Sequence, residues 1–223
     1  MSPLFSGLAD SDCFHIAQQS HYKTYLRNEI VFRQEEAFQK LVLIDSGFVK
    51  LSHVSRNGSE IILGLRGPKD PVHLRGRLNC NMHTFSAQAM VACKTLTWSA
   101  TTLEQLLART PQLSHNICQI LADQLSDLQE RYCEMSSEKV DVRLSWLLIR
   151  LAKQVGSRAI VGFDIAISRQ ELAQMCGATL FTVSRLISKW GALGLVIPRR
   201  EGIVILDLDQ AHFISSSEAA AEL

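Results

Sequence analysis

The sequence has no long uninterrupted run of apolar residues. None approaches the roughly 18 residues that a membrane-spanning helix needs. The N-terminal segment MSPLFSGLADSD has neither the basic region nor the apolar core of a secretion signal. We therefore expect a cytoplasmic protein with no membrane partner. Its 223 residues, 47% of them apolar and 20% charged, are typical of a globular chain with one large or two modest domains.

Closely spaced cysteines are also missing. The chain has no C-x-x-C pair, and only Cys13 precedes residue 80. A structural zinc site, a disulfide framework and a ferredoxin-type iron–sulfur cluster are therefore not expected, and no metal ligand set is predicted. We expect most of the six cysteines to be small buried apolar residues. They are Cys13, Cys80, Cys93, Cys118, Cys133 and Cys176.

The signatures of common enzymes are absent as well. We find no nucleophile elbow, P-loop, H-E-x-x-H motif or paired carboxylates at a glycine loop, so the chain is not expected to be an enzyme. An excess of one charge sign is missing too, because the 23 Lys and Arg exceed the 22 Asp and Glu by only +1. That sum alone gives no reason to expect a polyanionic partner, although it can hide a local asymmetry.

The first half of the chain contains short β-rich runs separated by turn signals. EIVF, LVLIDSGFVKLSHV and EIILGL are such runs, and Asn57-Gly58 lies between the last two. Asn-Gly is the strongest short hairpin signal, since both central residues of a type I′ turn need positive φ. The pattern predicts a β-sandwich or a β-roll of the jelly-roll kind over residues 1–110.

Residues 111–138 predict one long helix, because no glycine or further proline occurs between Pro111 and Val155. Its apolar residues step by four and three, as in a heptad seam. They are Leu121, Leu125, Leu128, Tyr132 and Met135. The seam either packs on the helix's own β-domain or forms a dimer interface, and the sequence alone leaves both open. The polar break Ser136-Ser137-Glu138 marks a domain boundary, after which Val142–Val155 predicts a second apolar helix.

Residues 139–223 predict a winged helix-turn-helix domain. Ser168 and Glu171 have the spacing of a capping box, Gly177 breaks the chain, and Thr179 caps a second helix. Two short runs, Leu195–Ile197 and Ile203–Leu206, predict the hairpin of the wing. The complete prediction is an α+β fold with a β-roll, a long dimerisation helix and a winged helix-turn-helix.

The second helix of this pair has an inward stripe and an outward face. The stripe is predicted to face the core and comprises Val183, Leu186, Ile187 and Trp190. The outward side chains, which would reach base edges in a major groove, are Leu180, Phe181, Ser184, Arg185 and Ser188. Arg185 suits bidentate recognition of guanine, and Ser184 can donate to a base or a phosphate. Phe181 either contacts a thymine methyl or packs as a lid on its own domain.

The neutral total conceals a basic segment. Between Ser168 and Arg200 the balance is +4, because five cations oppose Glu171 alone. The cations are Arg169, Arg185, Lys189, Arg199 and Arg200. Such a local basic face is typical of phosphate binding, with an affinity that falls as salt rises.

These segments together resemble the Crp/Fnr family of bacterial transcription regulators. ISRQELAQMCGATLFTVSRLISKWGALGLV is similar to the family's DNA-binding segment, IDSGFVKLSHVSRNGSEIILGL to its β-roll, and SSEKVDVRLSWLLIRLAKQ to its hinge and following helix. The resemblance implies an N-terminal effector domain and a homodimer joined along the long helix. It also implies two recognition helices on a pseudopalindromic double-stranded DNA site, with RNA polymerase as a further partner.

By position, the resemblance implies phosphate contacts for Arg169 and Thr179 and guanine recognition for Arg185. The remaining expected DNA-binding residues are Ser168, Leu180, Phe181, Thr182, Ser184, Ser188, Lys189, Arg199 and Arg200. Many members carry Glu where Phe181 stands, and Phe cannot accept a hydrogen bond from cytosine, so we expect a different half-site. On fewer residues, TLFTVSR resembles the branch that controls denitrification genes in response to nitric oxide.

The resemblance does not extend to the residues that bind cyclic AMP in this family. The Gly-Glu-Leu segment and the Arg-Ser pair of those members are absent from DPVHLRGRLNCNMHTFSAQAM, so cyclic AMP is not expected in its usual pose. Cys80-Asn81-Met82-His83 resembles the haem-ligating segment of the carbon-monoxide-sensing member. The candidate haem ligands are therefore His73, Cys80 and His83.

Other interpretations of the first domain stay open. An organic anion could bind the cations Arg66, Lys69, Arg75 and Arg77, or these and the histidines could be ordinary loop residues. The candidate effector-binding residues are His73, Arg75, Arg77 and His83. The chain could also be a regulator without an effector, or a ligand-binding β-roll protein that binds no DNA.

Overall fold

The computed structural model describes residues 2–74 and 82–207. These divide into two compact units, the first formed by residues up to 59 together with 64–129, the second by residues 60–63 together with the chain from Glu130 onward. A short 3-10 helix spans Pro3–Phe5, and the α-helices are α1 (Asp10–Gln18), α2 (Ala100–Arg109), α3 (Pro111–Ser137), α4 (Val140–Val155), α5 (Arg169–Cys176) and α6 (Leu180–Ala192). Within the described residues, no helix is both long enough and apolar enough to cross a bilayer.

The strands lie in three antiparallel sheets. Those of the β-roll are β1 (His21–Tyr25), β2 (Ile30–Phe32), β3 (Lys40–Ser46), β4 (Val49–Val54), β5 (Glu60–Arg66), β6 (Ser86–Ala89) and β7 (Cys93–Ser99). Those of the last third are β8 (Ser157–Arg158), β9 (Phe163–Ile165), β10 (Val196–Arg199) and β11 (Gly202–Ile205). The predicted α+β fold, with a β-roll, a long helix and a winged helix-turn-helix, is confirmed.

The β-roll has two facing sets of strands, ordered β1-β7-β3 and β2-β6-β4-β5. Apolar side chains of alternating strand positions fill the space between them, among them Tyr25, Val42 and Ile44. A second cluster joins the roll to the helices around it and includes Trp98, whose indole Nε1 donates to the carbonyl of Ile16 at 2.7 Å. The Trp98 ring is therefore buried with its one polar atom hydrogen-bonded, and this contact holds α1 against the sheet.

The predicted hairpin between β4 and β5 is present, but its turn is not of type I′. Among the described residues, positive φ outside glycine occurs only at Asn28, Glu35 and Lys69, so Asn57 does not adopt it. The loop instead closes through the Asn57 side chain, whose Oδ1 accepts from the Ser55 hydroxyl at 2.6 Å and from the Ser59 amide at 3.1 Å. Asn57 is thus not left-handed as a type I′ turn requires, and its side-chain oxygen closes the loop instead.

Helix α3 changes its environment along its length. Leu113 and Ile117 are buried in the core of the first unit, and Leu121 packs against the same core. From Leu125 onward the predicted seam is exposed, with Leu125 at 56% and Tyr132 at 73%. The start of the helix therefore packs on its own β-domain, and most of the seam has no cover within the described residues.

The second unit has the order expected of a winged helix. Helix α4 starts two residues before the predicted Val142, and the chain directly after it forms β8 and β9. The sheet order is β10-β11-β9-β8, so the wing hairpin extends a sheet that begins directly after α4. The core of this unit includes Leu144, Leu148, Leu172, Val183, Ile187 and Trp190.

Candidate nucleic-acid interface

The first helix of the helix-turn-helix begins with the predicted capping box. The Glu171 amide donates to Ser168 Oγ at 3.2 Å, and the Ser168 amide donates to Glu171 Oε2 at 2.9 Å. Two of the amides that a helix start leaves without partners are thereby satisfied. Because the Ser168 hydroxyl also donates to Glu171, it already has two partners within its own helix start.

The turn between α5 and α6 depends on Gly177. Its φ of +62° is left-handed, and the Ala178 amide donates to the Ala173 carbonyl at 3.0 Å. A Cβ at this position would lie 2.8 Å from the terminal methyl of Met135. The backbone conformation therefore favours glycine here, whereas the flexible end of the Met135 side chain could shift to admit a Cβ.

Helix α6 begins at a cap formed by Thr179, whose Oγ1 accepts from the Thr182 amide at 3.1 Å. Its buried face contains Val183, Ile187 and Trp190, as the periodicity predicts. Leu186 was predicted to join this face and is only half-buried, because it borders an open cleft. The two threonine hydroxyls also lie 2.9 Å apart and bond to each other.

The outward residues of α6 differ in exposure. Leu180, Phe181, Arg185, Ser188 and Lys189 are exposed, and Ser184 is half-buried. Phe181 is 77% exposed, so the alternative in which it packs as a lid on its own domain is wrong. The face that the sequence assigns to base edges is therefore open to solvent in this chain.

The cations around α6 are not equally available. Arg199 donates to Asp164 Oδ2 at 2.6 Å, and this aspartate lies outside the segment from which the +4 was counted. One of the five predicted cations is thus offset by an acid that a sum along the sequence did not include. Arg185 and Arg200 are exposed and Arg169 is half-buried. The roles predicted for all of them stay predictions.

A cleft of about 520 Å³ lies between α6 and the start of α4. Thr182, Arg185, Leu186 and Lys189 line one side, and Val140 and Asp141 line the other. Residue spacing singles out the α6 residues but not Val140 and Asp141 of α4. No local signal identifies them, since they reach the cleft only through the packing of α4.

The end of α3 is fixed to α4 by a further contact that the sequence did not indicate. Arg150 donates from both terminal nitrogens to the Glu134 carboxylate, at 2.5 Å and 2.8 Å, and Glu134 is only 7% exposed. Arg143, two helical turns before Arg150, donates to the Met135 carbonyl at 3.0 Å. A cation at the carboxyl end of a helix also interacts favourably with the helix dipole. We call these contacts the α3–α4 clamp.

The candidate effector residues of the first unit include two histidines in contact. The Nδ1 atoms of His73 and His83 lie 2.7 Å apart, so one ring donates to the other. His83 stacks on Phe32 with ring centroids 3.7 Å apart, and it is only 4% exposed. Burial lowers the pKa of His83, against a smaller opposing effect of Glu36. His83 is therefore not the solvated loop residue of the alternative interpretation.

The surroundings of this histidine pair are aromatic. Phe38 and Phe85 lie with ring centroids 5.7 Å and 4.9 Å from that of His73. His83 also lines a cleft of about 350 Å³ together with Glu36 and Lys40. Arg75, Arg77 and Cys80 lie outside the described residues. Within the described residues, no three His, Cys, Asp or Glu side chains are grouped to hold a metal ion.

Two models of known domain families match this chain, one in each half. Residues 142–210 match the model of the Crp-like helix-turn-helix domain. Residues 22–110 match that of the cyclic nucleotide-binding domain.

Individual relatives are similar over most of the chain. The transcriptional activator protein Anr of Pseudomonas protegens is 26% identical over 183 residues, 81% of this chain and 75% of that protein. The cyclic AMP receptor protein of Thermus thermophilus is 28% identical over 195 residues, 87% and 88% of the two chains. The structure of a c-di-GMP-responsive global regulator of Xanthomonas campestris has a TM-score of 0.76 at 23% identity, and the match covers 89% of this chain and 100% of that one. At that identity it shows the fold alone.

The α3–α4 clamp generates a prediction. In Glu134→Gln the charge pair is lost and Arg150 keeps a half-buried charge without its carboxylate, so the second unit should lose about 1–3 kcal/mol of stability. Hydrogen exchange of the amides in residues 130–137, followed by mass spectrometry, should accelerate about tenfold or more. Glu130→Gln, on an exposed position one turn earlier, is the matched control. Equal protection in both variants would contradict the clamp.

Proposed function

We propose that this chain, as a member of the Crp/Fnr family of DNA-binding transcription regulators, acts as a homodimer whose two α6 helices bind a pseudopalindromic site. It is a regulator and not an enzyme, in agreement with the missing catalytic motifs. The observation that carries the proposal is the outward face of α6, which is exposed and carries the exposed cations Arg185 and Lys189. As a DNA-binding protein it would act in the cytoplasm, with RNA polymerase as partner.

Arg185 is the residue we assign to base recognition. It lies on the outward face of α6, one turn after Phe181, and its side chain is exposed. A guanidinium presents two parallel donors that match O6 and N7 of guanine in the major groove. Arg169 lies at the first position of α5, where a cation contacts the DNA backbone more readily than a base, so we assign it to phosphate.

The exposed seam of α3 supports the homodimer. Leu125, Leu128, Tyr132 and Met135 each expose about half or more of their side chains, at heptad spacing. Water contact of such a stripe is unfavourable, and a parallel partner helix with the same spacing covers it. A two-fold dimer also presents two recognition helices, which matches a site with two half-sites.

The effector site we propose is the His73–His83 pair, with haem as the ligand class. Imidazole is a competent haem ligand, and the lowered pKa of His83 keeps its ring neutral and able to donate a lone pair. His83 lines the cleft and would hold the group, and the Nδ1 contact from His73 would orient its ring. Bound haem would supply an iron that takes up a diatomic gas such as nitric oxide.

The DNA-binding proposal predicts different losses at two arginines. A duplex selected from a random library should bind Arg185→Ala about tenfold to hundredfold more weakly in gel-shift titrations, and non-selected duplexes should bind it almost as well as the wild type. Arg169→Ala should weaken both kinds of duplex alike and reduce the salt dependence. Arg158→Ala, exposed on β8, is the control. Equal losses on all duplexes in both variants would reject base recognition by Arg185.

The dimer predicts a defined effect of charge in the seam. Leu125→Glu or Leu128→Glu should yield monomers in sedimentation velocity, because two carboxylates would face each other across the interface. Binding to a duplex with two half-sites should weaken by about two orders of magnitude. Ser126→Glu adds the same charge at an exposed position beside the seam and should leave both properties unchanged. A dimeric Leu125→Glu protein would contradict the seam.

The haem proposal has a spectroscopic test. Protein reconstituted with haemin should show a Soret band that shifts with nitric oxide or carbon monoxide, and His83→Ala should abolish or displace it. His15→Ala, exposed on α1, should leave it intact. Without such a band haem is rejected, and an organic anion or regulation without an effector takes its place.

A further inference from the structure

The N-terminal end of α6 presents two exposed apolar side chains. Leu180 and Phe181 are the first two residues of the helix and are 46% and 77% exposed. The other large apolar side chains in the body of α6 point inward, where Val183, Ile187 and Trp190 are fully buried and Leu186 is half-buried. We call these two residues the α6 tip. They are not part of the apolar core against which α6 packs.

The exposure of the α6 tip does not follow from a need to form the helix. Thr179 Oγ1 accepts from the Thr182 amide of the first turn, and neither Leu180 nor Phe181 supplies a capping group. Among the described residues, the ring contacts involve other aromatic side chains and not Phe181. The exposed Phe181 ring gains little packing within the described residues, so its burial against a partner would be favourable.

The position of the α6 tip selects its partner. Phe181 and Arg185 are four residues apart and lie on one helix face, so whatever Arg185 contacts lies beside Phe181 as well. Under the proposed function, this face enters a major groove. The apolar group exposed on base edges in that groove is the C5 methyl of thymine, and every other recognition group there is a hydrogen-bond donor or acceptor.

We propose that the α6 tip is an apolar specificity element: Phe181, assisted by Leu180, contacts the C5 methyl of thymine next to the base pair that Arg185 reads. This inference rests on the proposed function and assigns the chemistry of one further position in its half-site. Phe181 offers no hydrogen bond, so discrimination at this position comes from burial of a methyl group. Thymine is favoured there, and a base without a methyl at C5 is not.

The test removes single methyl groups from DNA. A duplex selected from a random library is resynthesised with each thymine of one half-site replaced in turn by deoxyuridine, which keeps the base pair and lacks only the C5 methyl. Wild-type affinity should fall about threefold to fivefold at one or two positions, as expected for burial of one methyl-sized group. Phe181→Ala should bind the thymine duplex more weakly and no longer distinguish it from the deoxyuridine duplex.

Matched variants separate this contact from general effects. Phe181→Leu keeps an apolar side chain and should keep part of the thymine preference. Leu193→Ala truncates a side chain that is 64% exposed at the opposite end of the same helix, and it should behave as the wild type. Because Phe181 is exposed, circular dichroism and sedimentation of Phe181→Ala should match the wild type. A change in oligomeric state instead would identify the α6 tip as a protein contact and overturn the proposal.

The two levels of inference fail in different ways. A wild-type protein that selects no sequence from the library rejects the proposed function and the thymine contact with it. A wild-type protein that selects a sequence and binds all deoxyuridine duplexes equally well rejects the thymine contact alone. A Phe181→Ala protein that still discriminates against deoxyuridine assigns the methyl to another residue and also overturns the proposal.

Discussion

The ion pair between Glu134 and Arg150 is the contact on which the geometry of the second unit depends. A carboxylate that is 7% exposed is stable only with a charged partner, so the last turns of α3 cannot leave α4 without a large cost. The next residue, Met135, has its terminal methyl 2.8 Å from the position that a Cβ of residue 177 would take. The turn between α5 and α6 is thus packed against α3 itself.

The helix caps and the turn of this unit could be predicted from the sequence, because each depends on residues only three or four positions apart. The capping box at Ser168, the left-handed Gly177 and the Thr179 cap each involve side chains and amides within one helical turn, so residue spacing alone was sufficient to predict them. The buried face of α6 followed from its period for the same reason. Leu186 is the exception, because its burial depends on how closely the start of α4 approaches, and a cleft remains there.

The contacts that the sequence could not indicate join residues that are distant along the chain. Arg199 pairs with Asp164 across 35 positions, and Glu134 pairs with Arg150 across 16. Their carboxylates and guanidinium groups have no local pattern, and only the packing of the elements brings them together. The same holds for His73 and His83, which were candidates separately and whose Nδ1 contact was not foreseen. At Asn57 the residue pattern suits either a type I′ turn or a loop closed by the asparagine side chain. In the structure the Asn57 side-chain oxygen accepts from the Ser59 amide and closes the loop.

Among the exposed apolar side chains, the α3 seam and the α6 tip differ in spacing and in surroundings, and these differences point to different partners. The α3 seam repeats at heptad spacing over several turns, which fits a second copy of the same helix. The α6 tip is small and lies one turn from Arg185. In a two-fold contact between copies, that arginine would approach the same cations of the partner, and like charges would oppose association. A polyanion has the opposite effect, since its phosphates attract the cations and its thymine methyls cover the apolar residues. Heptad spacing therefore favours a protein partner for the α3 seam, and the adjacent cation favours DNA for the α6 tip.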